Sequence, residues 1–475
     1  MYVCGVTPYD VGHLGHAAVY TTFDTLRGYL EFSSYEVEHI QNITDIDDDM
    51  VRKSKELGVS IAELTDQNHE IFLAEMDALS VLRPAAYPRV SGTMTEIIEM
   101  VKELIDRDLA YEVDGYVFFE ASKAPHFGAL SGLSHQELRD APRTDMMPKE
   151  PDELKRDPLD FLIWQPCSDE GATFDSPWCP GRPGWHIECS AMARASLGDR
   201  IDIHGGGRDL IYPHHESEIV QSEGATGARP YVGWWMHHGL AELDGEKMSK
   251  SLGNFFTVGQ VLEYYDPEGV RFFLLKHHLR SPIGLEVIEV DGQPSFPDLD
   301  EAERRLDYFY STLKRIDEFL AVGKDPGDGD ILDDAKTLIP QVRDALADDF
   351  NTPVAVASLG DAAKAANKLL DEGKGIPKDV RRRSLRQLGR DIRDIAGNAL
   401  GILTREPAEF LDARRNRLAA KRGLDIAAVE AMLVERAEAR KQKDFAKSDE
   451  LRDRLTELKV EVLDTPRGAE WRVAE

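Results

Sequence analysis

Two short segments carry residues suited to phosphate chemistry: His13-Leu14-Gly15-His16 near the start of the chain and Lys247-Met248-Ser249-Lys250-Ser251 past its middle. The first opens an apolar run with helical spacing (Leu14, Ala17, Ala18, Tyr20, Phe23, Leu26, Leu30). The unpaired N–H groups and positive dipole end of a helix start favour phosphate. Gly15 admits close approach of a backbone or base. His13 and His16, three apart, share a face from which they can donate to phosphate oxygens as charge shifts in a transition state. In the second segment two lysines three apart on a Ser/Gly loop can reach β- and γ-phosphates as mobile point charges. Each pattern has a plain alternative, an incidental histidine pair or a solvated turn. Together they suit one nucleotide site closed from two sides, and activation of a carboxylate by ATP.

A third constellation suits a metal. His214 and Glu218 stand at i and i+4, on one face of a helix. Cys4 and Cys189 could complete a four-donor set for zinc, which takes thiolate, imidazole and carboxylate. Two alternatives stay open: Cys167 and Cys179 as ligands, although their spacing to Cys189 fits no finger pattern, and plain buried thiols. His215-Glu216 begins the H-E-x-x-H pattern of metalloproteases, but Ile219 stands where the second histidine is required.

The elements that must position these residues are legible in part. Residues 1–5 read as the end of a strand, Gly12–Leu30 as a helix, and Glu36–Ile43 as a second strand running into Thr44-Asp45-Ile46-Asp47-Asp48. This is a βαβ unit, hence a parallel sheet with a right-handed crossover. Ligands of such sheets sit beyond the carboxyl ends of the strands, where Cys4, His13, His16 and Thr44 fall. Residues 86–175 interrupt the pattern with a helix (Met94–Asp106), a hairpin (Ala110–Glu120) and a polar, Pro-rich stretch. Sheet-type sequence resumes at Arg200–His204, followed by Gly205-Gly206-Gly207 and a helix from about Pro213. The expected organisation is a Rossmann-type α/β parallel-sheet catalytic domain over 1–85 and 176–245, with a connective insertion at 86–175. A lysine-loop and linking segment follows at 246–300. An α-helical bundle spans 301–400, and a small α+β domain ending in a hairpin spans 401–475.

Composition bounds the function. No apolar run is long enough to span a bilayer, and the N-terminus lacks the basic start and apolar stretch of a signal peptide. A cytoplasmic enzyme is expected. Four cysteines are too few for a disulfide scaffold in 475 residues. The formal charge is −30, a carboxylate density that suggests a halophile's surface, kept soluble in strong salt. The charge is uneven. Residues 401–475 hold 16 basic and 16 acidic side chains, whereas the remaining 400 residues hold 41 and 71, the whole −30. A tail spared from acidification either faces a polyanion or simply has an ordinary surface.

The sequence resembles the cysteinyl-tRNA synthetases, a family of class I aminoacyl-tRNA synthetases. The matching segments are Met1–His16 (MYVCGVTPYDVGHLGH), Gln41–Asp48 (QNITDIDD), Gly181–Met192 (GRPGWHIECSAM), Ile203–Glu223 (IHGGGRDLIYPHHESEIVQSE) and Glu246–Thr257 (EKMSKSLGNFFT), with weaker similarity through Asp348–Pro353 to the end. Leu14 replaces the usual isoleucine of the first signature, a conservative change. The family pattern has a further segment ahead of the strand holding Cys4; here Met1 precedes that strand directly, which leaves the true start open.

The resemblance implies catalytic roles for His13, His16, Lys247 and Lys250, and one zinc ion on Cys4, Cys189, His214 and Glu218. It implies ATP with Mg2+, L-cysteine and tRNA(Cys) as partners, no membrane, and a monomer. Gly15, Thr44, Trp185, Asp209, Ser249 and Ser251 are the expected substrate and ATP contacts, with Trp185 walling the amino-acid pocket. Arg414, Arg415, Arg417 and Trp471 are candidate tRNA contacts, although Trp471 could equally pack the hairpin. Three rivals are weighed. A ligase making a small thiol is expected to lack a domain like 401–475. A non-catalytic RNA-binding relative would not need His13, His16, Lys247 and Lys250. A zinc hydrolase needs the pattern that Ile219 breaks.

Overall fold

The computed structural model describes residues 1–140, 150–243, 246–247, 256–290, 293–465 and 468–474. It divides into two units, one of residues 1–302, 339–359 and 394–402, the other of residues 303–338, 360–393 and 403–475.

The first unit begins with β1 (Tyr2–Val6), α1 (Leu14–Phe32) and β2 (Ile40–Ile43). β1 and β2 pair in parallel, Tyr2 against Ile40 and Val6 against Ile43. The expected βαβ unit is present, with a later helix start and a shorter second strand than the sequence suggested. α1 turns Ala17, Ala18, Phe23 and Leu26 inward, each large apolar side chain adding about 1.5–3 kcal/mol when fully buried. α2 (Asp48–Leu57) starts on Asp47, whose carboxylate accepts from Asp49 N and Met50 N. α3 (Ile61–Ala78) starts on a Ser60/Glu63 capping box.

The insertion opens with α4 (Met94–Asp106), then the hairpin β3 (Ala110–Val113) and β4 (Tyr116–Phe119), and a short α5 (His135–Asp140). β5 (Phe161–Pro166) and β6 (Gly181–Pro183) complete an antiparallel sheet of order β3-β4-β5-β6. α6 (Trp185–Leu197) follows directly, and β7 (Ile201–Gly207) returns the chain to the parallel sheet beside β1. A wide turn at Ile211–His215 leads into α7 (Glu216–Thr226), and β8 (Val232–His238) ends the sheet, of order β2-β1-β7-β8. One continuous apolar core joins the sheet, α4, α6 and the insertion.

Beyond it, β9 (Ala241–Leu243) pairs antiparallel with β10 (Glu246–Lys247) and parallel with β11 (Ile283–Leu285). α8 (Val258–Leu262) and α9 (Pro267–Leu275) lie between β10 and β11 in the chain. In α9, Arg271 is buried and bonds Asp24 of α1 at 2.6 Å.

The second unit is helical, with Tyr310 stacked on Phe410 at 4.1 Å. Its end is an antiparallel hairpin, Val460–Thr465 with Gly468–Val473. Val460, Trp471 and Val473 pack there with Ala419, Val429, Leu433 and Leu455. Among the described residues no helix is long and apolar enough to cross a membrane.

Candidate metal centre and nucleotide site

Register explains how distant residues meet. Tyr2 opposes His204, and their rings meet edge to face at 5.0 Å. Cys4, two residues further along β1, points to the same face as Tyr2 because strand side chains alternate. Gly206 keeps this corner open: a Cβ there would stand 3.5 Å from Cys4 Cβ and 2.8 Å from Leu210 Cδ1. α6 brings Cys189, whose Sγ lies 3.9 Å from Cys4 Sγ. The turn before α7 brings His214, and α7 brings Glu218. Glu218 Oε1 lies 3.8 Å from Cys4 Sγ and 3.2 Å from His214 Nε2. All four side chains are buried, and their donor atoms lie within 4.8 Å of one another.

The structure also gathers residues the sequence reading did not select. Cys4, His204, His215 and Glu218 form a second compact donor set that shares Cys4 and Glu218 with the first. His215 Nε2 is 3.3 Å from Cys4 Sγ, and His204 Nε2 is 2.9 Å from Glu218 Oε2. His214 and His215, at i,i+4 and i,i+3 from Glu218, both face it, at 3.2 and 3.9 Å, where the i,i+4 pairing named only His214. Behind them, His186 Nδ1 meets His214 Nδ1 at 3.0 Å and His215 Nδ1 meets His237 Nε2 at 2.7 Å. The signal available was the density of histidines over 186–238. Their mutual contacts depend on strand order, which spacing does not encode.

Burial sets the protonation of these groups. It pushes the His214 and His215 imidazoles well below their ordinary range, with neighbouring histidines adding to the effect, and holds His186 and His237 near 3. Burial pushes the Cys4 thiol well up, aided by Cys189 and Glu218. Neutral imidazoles can ligate directly, and a cation would reverse the thiol's preference. Two sulfurs, an imidazole nitrogen and a carboxylate oxygen are a fitting zinc set.

Around the quartet, Trp185 stacks on His214 with ring centroids 4.4 Å apart. Thr44 is buried at the end of β2, where its hydroxyl accepts from Asn42 Nδ2 at 3.2 Å. Asp209 lies in a single turn after β7, half-buried.

His13 and His16 form a reciprocal cap. His13 is the N-cap of α1, and its Nδ1 accepts from Gly15 N at 3.1 Å; His16 Nδ1 accepts from His13 N at 3.2 Å. The rings stack at 4.0 Å. Because each Nδ1 is an acceptor, the neutral rings carry their proton on Nε2. Both imidazoles are thus oriented by backbone as Nε2–H donors at a helix N-terminus, the arrangement suited to phosphate oxygens.

Lys247 lies on β10, its backbone paired with Glu242. Ser249, Lys250 and Ser251 lie outside the described residues. In the second unit Arg414 is buried, 3.1 Å from Asp307, and Arg417 meets the buried Glu303 at 2.5 Å. Arg415 pairs with Asp412 at 2.9 Å and lies over the Trp471 ring at 5.0 Å. Trp471 itself is a core residue.

Comparison with known proteins shows the family. The model of the family described as "tRNA synthetases class I (C) catalytic domain" matches residues 1–291. The DALR domain matches 341–404, and the "Cysteinyl-tRNA ligase anticodon binding domain" matches 423–472. A cysteine–tRNA ligase of Anaeromyxobacter sp. (strain Fw109-5) is 45% identical over 480 residues, covering 99% of this chain and 94% of the relative. That of Trichlorobacter lovleyi is 41% identical over 478 residues, covering 100% and 95%. Among solved structures, Mycobacterium tuberculosis methionyl-tRNA synthetase in complex with methionyl-adenylate shares the fold, with a TM-score of 0.61 at 17% identity over 88% of this chain and 95% of that one. The chain belongs to the cysteine–tRNA ligases, within the class I aminoacyl-tRNA synthetases.

Proposed function

We propose that the buried quartet Cys4, Cys189, His214 and Glu218 holds one zinc ion and is the element that selects L-cysteine. The carrying observation is that two sulfurs, an imidazole and a carboxylate converge, fully buried, at the carboxyl end of the parallel sheet. Zinc supplies affinity for a thiolate over the harder, less acidic hydroxyl of serine. A site built around one specific bond can discriminate by about 10⁴ without editing. Trp185, stacked on His214, walls the pocket, and Thr44 and Asp209 face the remainder of the substrates. The second donor pair, His204 and His215, orients Glu218 and Cys4.

In the same proposal the cysteine carboxylate attacks the α-phosphorus of ATP, supplied with Mg2+, and pyrophosphate leaves. His13 and His16 donate from Nε2–H to phosphate oxygens as negative charge shifts, while Lys250 and Lys247 neutralise the departing pyrophosphate. Gly15 lets the nucleotide approach the start of α1, and Ser249 and Ser251 belong to the same lysine loop. Positioning and electrostatics carry most such catalysis. The adenylate then passes to the terminal ribose of tRNA(Cys), which the carboxy-terminal domain holds, Arg414, Arg417 and Trp471 serving that domain's own pairing and core. The unpaired cysteines fit a reducing cytoplasm.

The test is cysteine-dependent ATP–pyrophosphate exchange followed by charging of tRNA(Cys), with zinc measured on the same preparation. Both activities are expected. Exchange without charging favours a small-thiol ligase, and no exchange despite bound zinc refutes the ligase readings. The −30 charge further supports a salt-rich milieu. Because the Debye length is about 3 Å at 1 M salt, charging should survive molar KCl; collapse there, with an optimum near about 0.1 M, removes the salt-adaptation reading.

A further inference from the structure

The chain leaving the lysine loop is tied to the histidine turn, and a buried carboxylate outside the mechanism above holds the tie. Thr257 forms an antiparallel bridge with His13. Leu14 N donates to Phe256 O, and Val258 N to Gly12 O, each at 3.3 Å. Thr257 caps α8, its hydroxyl accepting from Gln260 N at 3.1 Å. The neighbouring Gly259 N donates instead to Glu75 Oε1, at 2.9 Å, from the far end of α3. That helix also fixes the approach to the histidine turn, where Asn68 Nδ2 donates to Pro8 O at 2.7 Å. One rigid helix therefore grips the segment entering the first motif and the segment leaving the second.

Glu75 is only 8% exposed, and its Oε2 makes no hydrogen bond among the described residues. A Cβ at Gly12 would lie 3.2 Å from Oε2, and one at Gly259 would lie 3.3 Å from Oε1. Neither glycine has a positive φ, so what these two positions provide is room for the carboxylate. Burying a carboxylate with an unsatisfied oxygen is costly, more than the cap of one short helix returns.

We propose that Glu75 is a positioning residue for adenylate formation: it clamps Phe256–Gly259 against the His13 turn and so fixes the two imidazoles that face the nucleotide. This rests on the ATP reading of those two motifs. A displacement of about 1 Å in such a site can cost about 100-fold, so the reach of the side chain, more than its charge, sets the effect.

Glu75→Gln and Glu75→Asp separate reach from charge. Glu75→Gln keeps an acceptor oxygen at the same distance, and exchange should stay within about threefold of wild type. Glu75→Asp keeps the charge but withdraws it by one methylene. Its kcat/KM for ATP should fall about 10- to 100-fold, with zinc content and the KM for cysteine unchanged and the Gly259 amide exchanging hydrogen faster. Better activity in Glu75→Asp than in Glu75→Gln overturns the clamp, as do equal losses in both with a raised KM for cysteine. Should Glu75→Asp fail to fold, Gly259→Ala presses a methyl on Oε1. It must lower kcat/KM for ATP at constant KM for cysteine, and no change overturns the proposal. A wild-type protein without exchange refutes the ATP reading and the clamp with it. Wild-type exchange with Glu75→Asp unimpaired refutes the clamp alone.

Discussion

The metal centre and the carboxy-terminal domain hold polar groups in opposite ways. At the centre, Cys4, Cys189, His204, His214, His215 and Glu218 are all buried and face one another. In the carboxy-terminal domain, arginines reach a half-exposed carboxylate, as the buried Arg436 and the half-exposed Arg440 do with Asp464. The first arrangement is costly unless every group has a partner, and under the proposed function a bound cation would be a partner shared by all four ligands. The second costs little and returns little. Substitutions in the two regions should therefore differ in size and in kind: loss of activity at the centre, graded stability in the domain.

The contrast is sharpest at Cys189. Cys189→Ser replaces a thiolate donor by a hydroxyl in a fully buried site, and cysteine activation should fall by about 10⁴ with loss of bound zinc. Metal analysis beside pyrophosphate exchange reads both, and retention of both refutes the ligand assignment. The matching change in the carboxy-terminal domain is Trp471→Ala, which empties a core site among Val429, Leu433 and Leu455. A buried Trp→Ala change costs about 3–5 kcal/mol. The melting of that domain should drop while exchange is untouched and charging suffers. An exchange loss equal to the charging loss would break the comparison.

Legibility followed the same division. Of the quartet, His214 and Glu218 could be paired because they stand at i and i+4; Cys4 and Cys189 were one open choice among the cysteines until the family resemblance singled them out. The βαβ unit could be named because α1 repeats its apolar residues with helical spacing. His204 was missed because its place depends on β7 lying beside β1, and His215, three residues before Glu218, because only the i,i+4 partner was taken. No local spacing reports the strand order that brings His204 in. Arg414 and Arg417 read as open basic residues because Glu303 and Asp307 lie more than a hundred positions away in sequence. The clamp proposed at Glu75 was invisible for a similar reason: a glutamate near a helix end is ordinary until Gly12 and Gly259 close around it.

Arg417→Ala asks how far those arginines serve the domain itself. Glu303 is buried and Arg417 partly exposed. Removing the cation leaves Glu303 with Arg414 at 3.9 Å, a loss of about 2 kcal/mol, below the range for a fully buried pair because water reaches Arg417 and Arg414 remains. Chemical denaturation measures it. Unchanged stability with a raised KM for tRNA would move Arg417 from the domain's internal pairing to the RNA contact surface.

The smallest expected effect has a pH signature. Arg436, and then Arg440, hold the Asp464 carboxyl down at about 2 against an ordinary 3.8. A folded-state pKa below the unfolded one means the unfolded chain binds the proton more readily. The pair's contribution is then complete above the ordinary carboxylate range and fades as pH falls from about 4 toward 2. Asp464 is half exposed, so screening keeps the contribution below about 1 kcal/mol. The stability difference between wild type and Asp464→Asn, measured at a series of pH values, should be small and constant above about pH 5 and shrink below it. A difference that persists unchanged to about pH 2 would mean that the asparagine disturbs the hairpin by its shape, and the surface pairs of this domain would then carry no electrostatic stabilisation to set against the buried centre.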